Sequence, residues 1–299
     1  MGAQPIFLVT GAAGQLGYEL VRELAPLGRV VAPERAALDL ADADGLRRFV
    51  RECRPSVILN AGAYTAVDRA ESDREVCEAV NAEAPGVLGE EARALGAAVV
   101  HFSTDYVFDG RKRLPYVETD ATGPLSVYGA TKLRGEQALA ASGAAHLVFR
   151  TSWVYALRGR NFLLTMLGLA RARTELRVVN DQCGAPTWAR MVAGGTCQAL
   201  RALLERERWR AGAVRDAQGV YHISAAGVTS WHGFAEALLA QDPRREEQRC
   251  ERVVPITTSE YPTPASRPAY SALDCSKLRE TLGVRLPDWR EQLSLALHG

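Results

Sequence analysis

Ile6-Phe7-Leu8-Val9-Thr10 runs without a break into Gly11-Ala12-Ala13-Gly14-Gln15-Leu16-Gly17, and an apolar-periodic segment through Leu20, Val21 and Leu24 follows. The first five residues have the short, uninterrupted apolar character of a fully buried strand. The later apolar positions fall on one face of a helix. Between them, Gly11 permits a tight turn, Gly14 lets the backbone approach a pyrophosphate, and Gly17 lets the helix pack close against the strand. The helix N-terminus then faces the negative charge. Strand, glycine turn and helix, in that order, make a loose glycine pattern into a dinucleotide-binding fingerprint. The fold class that follows is α/β, a Rossmann-type doubly wound parallel sheet.

Working outward, Val30-Val31-Ala32 reads as the second strand, ending at Pro33-Glu34-Arg35. An acidic residue there accepts from ribose hydroxyls, whereas an arginine welcomes a 2′-phosphate. The chain offers both; Arg35 favours NADPH and leaves NADH open beside it. Asp39, before Leu40, suits an N-cap for a helix over 41–50. A third strand, Ser56-Val57-Ile58-Leu59, ends at Asn60-Ala61-Gly62-Ala63, where small residues allow close approach. The expected cofactor-facing set is Gly11, Ala13, Gly14, Gln15, Leu16, Gly17, Arg35, Asp39, Leu40, Ala61, Gly62 and Ala63.

Further on, Ser103-Thr104-Asp105 ends the apolar run Ala98–Phe102, and Tyr128-Gly129-Ala130-Thr131-Lys132 follows. A Tyr and a Lys spaced i, i+4 share one helix face. A free phenol has a pKa near 10, and an adjacent ammonium favours the phenolate, so proton exchange with a carbonyl oxygen becomes feasible. A strand-end hydroxyl can hold that oxygen in place. Tyr128 and Lys132, with the hydride carrier beside them, are equipment for carbonyl–alcohol redox chemistry.

The 299 residues suffice for one large domain or two intertwined ones, and 47% hydrophobic with 24% charged residues is ordinary for a soluble globular protein. A formal charge of +1 argues against a nucleic-acid or membrane-surface protein. No unbroken apolar run has membrane-spanning length, and no signal segment opens the chain. Cys53, Cys77, Cys183, Cys197, Cys250 and Cys275 lack C-x-x-C spacing, and the histidines form no ligand-spaced cluster. These features predict reduced thiols, no structural metal and a cytoplasmic location.

The strand–helix alternation runs to about Thr151, with one long helix over 74–95, Ser126 capping the Tyr128 helix, and a strand over 146–150. After it come a helix near 161–172, a strand over 176–179, a helix over 187–207, an exposed connection over 206–218, a helix capped by Thr229 or Ser230 and a solvated charge run over 244–251. The predicted division is residues 1–152 as the nucleotide-binding domain and 153–299 as mainly a smaller mixed α/β substrate lobe. Segments near 176–205 and 229–241 are expected to return to the first domain. A cleft between the two lies at the carboxyl ends of the strands.

Several longer phrases carry a resemblance: Asn60-Ala61-Gly62-Ala63-Tyr64-Thr65-Ala66-Val67-Asp68, Ser103-Thr104-Asp105-Tyr106-Val107-Phe108-Asp109-Gly110, and Val127-Tyr128-Gly129 with Lys132. Others are Arg150-Thr151-Ser152-Trp153-Val154-Tyr155, Asn180-Asp181-Gln182 with Gly184, Pro186 and Thr187, and Ser266-Arg267-Pro268. Together they resemble the dTDP-4-dehydrorhamnose reductase family of extended short-chain dehydrogenases, to which the G-x-x-G-x-x-G spacing also belongs. The resemblance implies NADPH-dependent reduction of the 4-keto group of a dTDP-6-deoxy-L-hexulose to dTDP-L-rhamnose. By it, Tyr128 protonates the developing alkoxide, Lys132 holds the nicotinamide ribose, and Thr104 hydrogen-bonds the ketone oxygen. Asp105, Tyr106, Trp153, Thr65 and Val67 resemble sugar-contacting positions, and Arg267 suits the substrate diphosphate. The plainer readings are Trp153 as core, Asp181 and Gln182 as turn formers, and Arg267 as part of an extended surface segment.

Some family members dimerise through a magnesium site built from glutamates. Glu19 stands where one would fall, but Arg190 occupies the place of a second and the C-terminus offers no third. The departure predicts no bridging metal and a monomer or metal-independent homodimer. Two other classes stay open on the residues alone. One is an epimerase or dehydratase of another nucleotide sugar, although Asp105-Tyr106 lacks the acidic pair a dehydratase needs. The other is a non-catalytic NADP-binding regulatory subunit resembling the methionine adenosyltransferase beta subunit.

Overall fold

In the computed structural model, which describes residues 4–204 and 211–299, β1 (Ile6–Thr10) leads through the glycine turn to α1 (Gln15–Leu24), β2 (Arg29–Val31), α2 (Ala43–Cys53) and β3 (Val57–Asn60). There follow α3 (Val67–Ala70), α4 (Arg74–Glu78), α5 (Ala84–Leu95), β4 (Ala98–Thr104), α6 (Val127–Ala141) and β5 (Ala145–Thr151). The strands form a six-stranded parallel sheet in the order Gly219–His222, β5, β4, β3, β1, β2. The chain winds one way from β1 to β2 and the other way from β3 outward. The strand order therefore reverses beside β1, and the crevice at the carboxyl ends opens there.

All seven residues of β4 and all seven of β5 are buried, because helices cover both faces of the sheet. One face packs Val100, Phe102 and Phe149 with Leu20 and Leu24 of α1 and with Val192 and Leu200 of the helix Ala189–Leu204. The other packs Val99 and Val148 with Leu88 and Ala92 of α5 and Leu139 of α6. A second apolar cluster joins Tyr155, Leu163, Trp188, Phe234, Leu238, Trp289 and Leu293 on the far side of the cleft.

The expected return of the chain to the sheet takes a different route. The helix Ala189–Leu204 and the strand Gly219–His222 come back to it. Residues 229–241 do not: Phe234, Ala235 and Leu238 of the helix Trp231–Ala240 pack in the second cluster. Glu175–Val179 likewise pairs with Arg252–Ile256 in a separate two-stranded sheet.

Asp39 does not cap α2; its carboxylate accepts from the Ala41 N–H in a local turn, and Asp42 caps the helix through the Gly45 N–H. The long helix over 74–95 is continuous but carries a π-helical turn at Ala79–Glu83. Such turns insert a residue and re-aim side chains; here Asn81 meets the Tyr64 backbone at both N–H and C=O. Residues 187–188 form a short strand before the helix Ala189–Leu204, so the helix starts later than expected. Its expected end near Glu207 and the first residues of the expected 206–218 connection lie outside the described residues. The rest of that connection includes the helix Gly212–Asp216, whose Val214 is fully buried in the main core.

Candidate active site

The glycine turn is held by contact rather than flexibility. Gly11 has φ +66°, and a Cβ on it would stand 2.5 Å from Gly62 Cα; one on Gly17 would stand 2.2 Å from the Gly11 oxygen. Parallel pairing of β1 with β3 thus brings Ala61-Gly62-Ala63 against the turn, as expected. Leu40 joins them, its Cδ1 being the atom that a Cβ on Gly62 would strike at 2.5 Å. Gly11, Ala13 and Gly14 are exposed to the crevice. α1 begins with no side-chain cap and no acidic residue in its first turn. Its leading N–H groups are left to a ligand anion, which fits a dinucleotide pyrophosphate. Leu16 packs against the main core. Gln15 accepts from Asn161 Nδ2 at 2.8 Å, and Asn161 itself caps the helix Phe162–Ala172. Arg35 and Asp39 form an exposed pair at 3.7 Å.

β4 ends at Thr104, and α6 starts beside it because the Ser126 hydroxyl accepts from the Gly129 N–H. Thr104 lies beside the Tyr128 hydroxyl and donates to Asp105 Oδ1 at 3.0 Å, while the Tyr106 N–H donates to Thr104 Oγ1. One turn further along α6, Lys132 is 1% exposed. Its Nζ donates to the Phe102 carbonyl at 2.6 Å and lies 3.2 Å from His101 Nε2. Burial pulls the ammonium down to about 8, opposed by the Glu136 carboxylate. The phenol of Tyr128 is pushed up, by burial first and by the Asp105 charge, with the Thr104 hydrogen bond opposing. This differs from the expected depression by Lys132, since the ammonium is turned toward β4.

Asp105 is 2% exposed, and burial raises its carboxyl to about 7 against the Thr104 hydrogen bond, its Oδ2 having no partner. A carboxyl held this far above its ordinary range costs the fold up to about 4 kcal/mol once ionised. The sign follows: the native state holds its proton more tightly, so the cost is absent near pH 4 and complete above pH 7. Asp105→Asn should therefore exceed the wild type in stability at about pH 8, with the gain vanishing toward about pH 4. Denaturant unfolding at the two pH values measures it, and equal differences at both would contradict the assignment.

Tyr106 stands edge-on to Tyr128, with ring centroids 5.9 Å apart, and lies near the Arg267 guanidinium. The charge of Arg267 is already answered: Nη2 donates to Asp68 Oδ2 at 2.8 Å. Asp68 also accepts from the Ala265 N–H, which ties the Thr65–Val67 loop to the Arg267 segment. This tie carried no local sequence signal.

Trp153 sits at φ +46°, an uncommon backbone for a bulky residue. Its indole stacks on Trp231, with centroids 3.5 Å apart and planes within 2°. Gly184 makes room, since a Cβ there would lie 2.6 Å from the Trp153 ring. Gln182 accepts from the Trp231 indole N–H and also donates to Thr258, while Asp181 accepts from both the N–H and the hydroxyl of Thr258. Both side chains thus have internal partners.

Beneath the site, Arg150 and Glu136 form a two-pronged ion pair at 2.9 and 2.7 Å, each side chain 5% exposed. The guanidinium lies over Phe108, which stacks on Tyr116. This pair joins β5 to α6 and supports the loop that carries Asp105 and Tyr106.

The chain matches the family described as RmlD substrate binding domain over residues 6–299. It is 52% identical over 293 residues to the dTDP-4-dehydrorhamnose reductase of Burkholderia thailandensis, covering 97% of each chain. The solved dTDP-4-dehydrorhamnose reductase of Clostridium acetobutylicum matches with TM-score 0.87 at 34% identity, covering 97% of this chain and 98% of that one. That of Bacillus anthracis, in complex with NADP, matches with TM-score 0.86 at 31% identity, covering 98% of both.

Proposed function

The chain belongs to the dTDP-4-dehydrorhamnose reductase family, and on that premise we propose that it reduces the 4-keto group of dTDP-4-dehydro-6-deoxy-L-mannose to dTDP-L-rhamnose with Thr104, Tyr128 and Lys132. The observation that carries the reading is the placement of Thr104 at the carboxyl end of β4 with Tyr128 and Lys132 one turn apart on α6, in the sheet whose β1 leads into the uncapped glycine turn. When bound, NADPH supplies the hydride. The turn Gly11–Gly17 holds its pyrophosphate, Ala61-Gly62-Ala63 and Leu40 pack against it, and Arg35 faces the 2′-phosphate.

Tyr128 starts protonated, as its burial dictates, and gives that proton to the oxygen on which charge develops. Thr104 can turn its one hydroxyl proton from Asp105 to that oxygen, so that the charge is met by two donors. Lys132, whose ammonium is held on β4 by the Phe102 carbonyl and His101, keeps one proton for the nicotinamide ribose. On the substrate side, Asp105, Tyr106, Thr65, Val67 and the Trp153 face contact the sugar nucleotide, and Arg267 can exchange Asp68 for the diphosphate. The keto-sugar and NADPH together give the test: absorbance loss of NADPH marks turnover, and none with this substrate would sink the reading. Arg35→Ala should raise KM for NADPH about tenfold, the worth of one charged contact, and leave that for NADH near its starting value. Equal effects on both cofactors would remove Arg35 from the 2′-phosphate.

Arg190 Nε lies 3.3 Å from the largely buried Glu19 carboxylate. An internal cation thus answers the charge that an intersubunit metal would otherwise meet, which supports a monomer or metal-independent homodimer. Sedimentation should be unchanged by a chelator; dissociation would overturn this. No helix among the described residues is long and apolar enough to cross a membrane, which suits a cytoplasmic enzyme with a small nucleotide-sugar substrate.

A further inference from the structure

Lys132 stands at one end of a continuous buried line of polar side chains that crosses β4, β3 and β1. His101 Nε2 is 3.2 Å from Lys132 Nζ, Asn60 Nδ2 is 3.1 Å from His101 Nδ1, and Thr10 Oγ1 is 2.7 Å from Asn60 Oδ1. None of the four is more than 2% exposed. The reaction as described so far uses only the lysine.

A neutral imidazole has one donor nitrogen and one acceptor. If Asn60 donates to Nδ1, the imidazole proton lies on Nε2 and faces an ammonium, so donor meets donor. With Lys132 charged, the line closes only in the opposite order. Lys132 donates to Nε2, Nδ1–H donates to the Asn60 carbonyl, and the Asn60 amide donates to Thr10 Oγ1. This requires a half-turn of an amide whose two ends are nearly the same size. A doubly protonated imidazole has no place here, because burial and the charges of Lys132 and His146 hold His101 well below its ordinary range.

We propose that Asn60 holds His101 as the neutral Nδ1–H tautomer, and that His101 is the positioning residue of Lys132, its Nε2 accepting one ammonium proton. The proposal rests on the reading of Lys132 as the lysine of the reductase site. Together with the Phe102 carbonyl, His101 fixes two of the three ammonium protons on β4 and leaves one for a bound hydroxyl. Nε2 accepts more strongly from an ammonium than from a neutral amine, so the array favours the cation. The other titratable groups acting on Lys132 are Glu136 on its own helix and Cys77 on α4. Glu136 favours the cation too, and is itself held by Arg150 of β5.

The first test needs no variant to be active. In the full-length protein with isotope-labelled imidazole nitrogens, two-bond proton–nitrogen correlation near pH 6 should show His101 protonated at Nδ1 and bare at Nε2. The signal is assigned by its loss in His101→Gln. An Nε2–H tautomer, or a charged ring, overturns the proposal.

The second test is the pH profile of NADPH oxidation. His101→Leu should lower kcat/KM about tenfold and move the alkaline limb to lower pH, while His101→Gln, which keeps an acceptor, restores the limb. A folded His101→Leu whose profile overlays the wild type overturns the positioning role. If His101→Leu fails to fold, the tautomer in the wild type decides. Wild-type protein that oxidises no NADPH with the keto-sugar defeats the reductase reading alone and leaves the tautomer result standing.

Discussion

Tyr128→Phe is expected to lower kcat by about a hundredfold to ten-thousandfold, the usual worth of a positioned proton donor, while the Kd for NADPH stays within about twofold. The substitution removes one oxygen and nothing that packs: the edge contact with Tyr106 is made by the ring, and phenylalanine keeps the ring. The neighbouring Thr104 retains Asp105 and the Tyr106 N–H, so the strand end has no reason to rearrange. What is lost is the group that delivers a proton as the alkoxide forms. Steady-state kinetics separates this from a binding defect, because KM moves little when an interaction peculiar to the transition state is removed. NADPH titration by fluorescence supplies the second half of the result. Near-native turnover would remove Tyr128 from its assigned role.

Glu136→Ala is expected to have the largest effect on stability, about 3–5 kcal/mol, because it leaves the Arg150 charge buried and unanswered. For a chain of this size the midpoint should fall on the order of 10 °C. The cost comes mainly from the orphaned guanidinium. A double variant, Glu136→Leu with Arg150→Met, should therefore recover most of the loss. Equal destabilisation by the single and double variants would show that packing, and not the stranded charge, is what the site supplies. The single variant has a second readout. Glu136 opposes the burial that depresses Lys132, so without it the ammonium is lost at lower pH, and the alkaline limb of kcat/KM should move the same way.

Local signals made the first half of the fold legible. The β1 run, the glycine turn and the α1 stripe each follow from residues in contact along the chain. The carboxyl end of β4 and the face shared by Tyr128 and Lys132 follow from strand and helix periods. What stayed hidden has physical reasons. His101 and Asn60 are polar residues within strands buried on both faces, where alternation carries no sign of direction. The Trp153–Trp231 stack and the Arg267–Asp68 pair join residues far apart in sequence and leave no periodic trace. Asp39 and Asp42 are both good capping residues, and only backbone geometry distinguishes the turn from the cap. Pro255 made Arg252–Ile256 a poor strand by pattern, yet it pairs in full with Glu175–Val179 as one of only two strands.

The order of strands in the main sheet has a consequence for the newborn chain. A ribosome that has released Thr151 has delivered β1 to β5, but the helix Ala189–Leu204 and the strand Gly219–His222 have yet to emerge. Until they arrive, Leu20, Leu24, Val100 and Phe149 lack the Val192, Leu200 and Tyr221 that cover them in the finished protein. At ordinary elongation rates that interval lasts on the order of ten seconds. During it the N-terminal half presents a nearly complete sheet with one apolar side covered only by α1, a surface that chaperones and neighbouring nascent chains can meet.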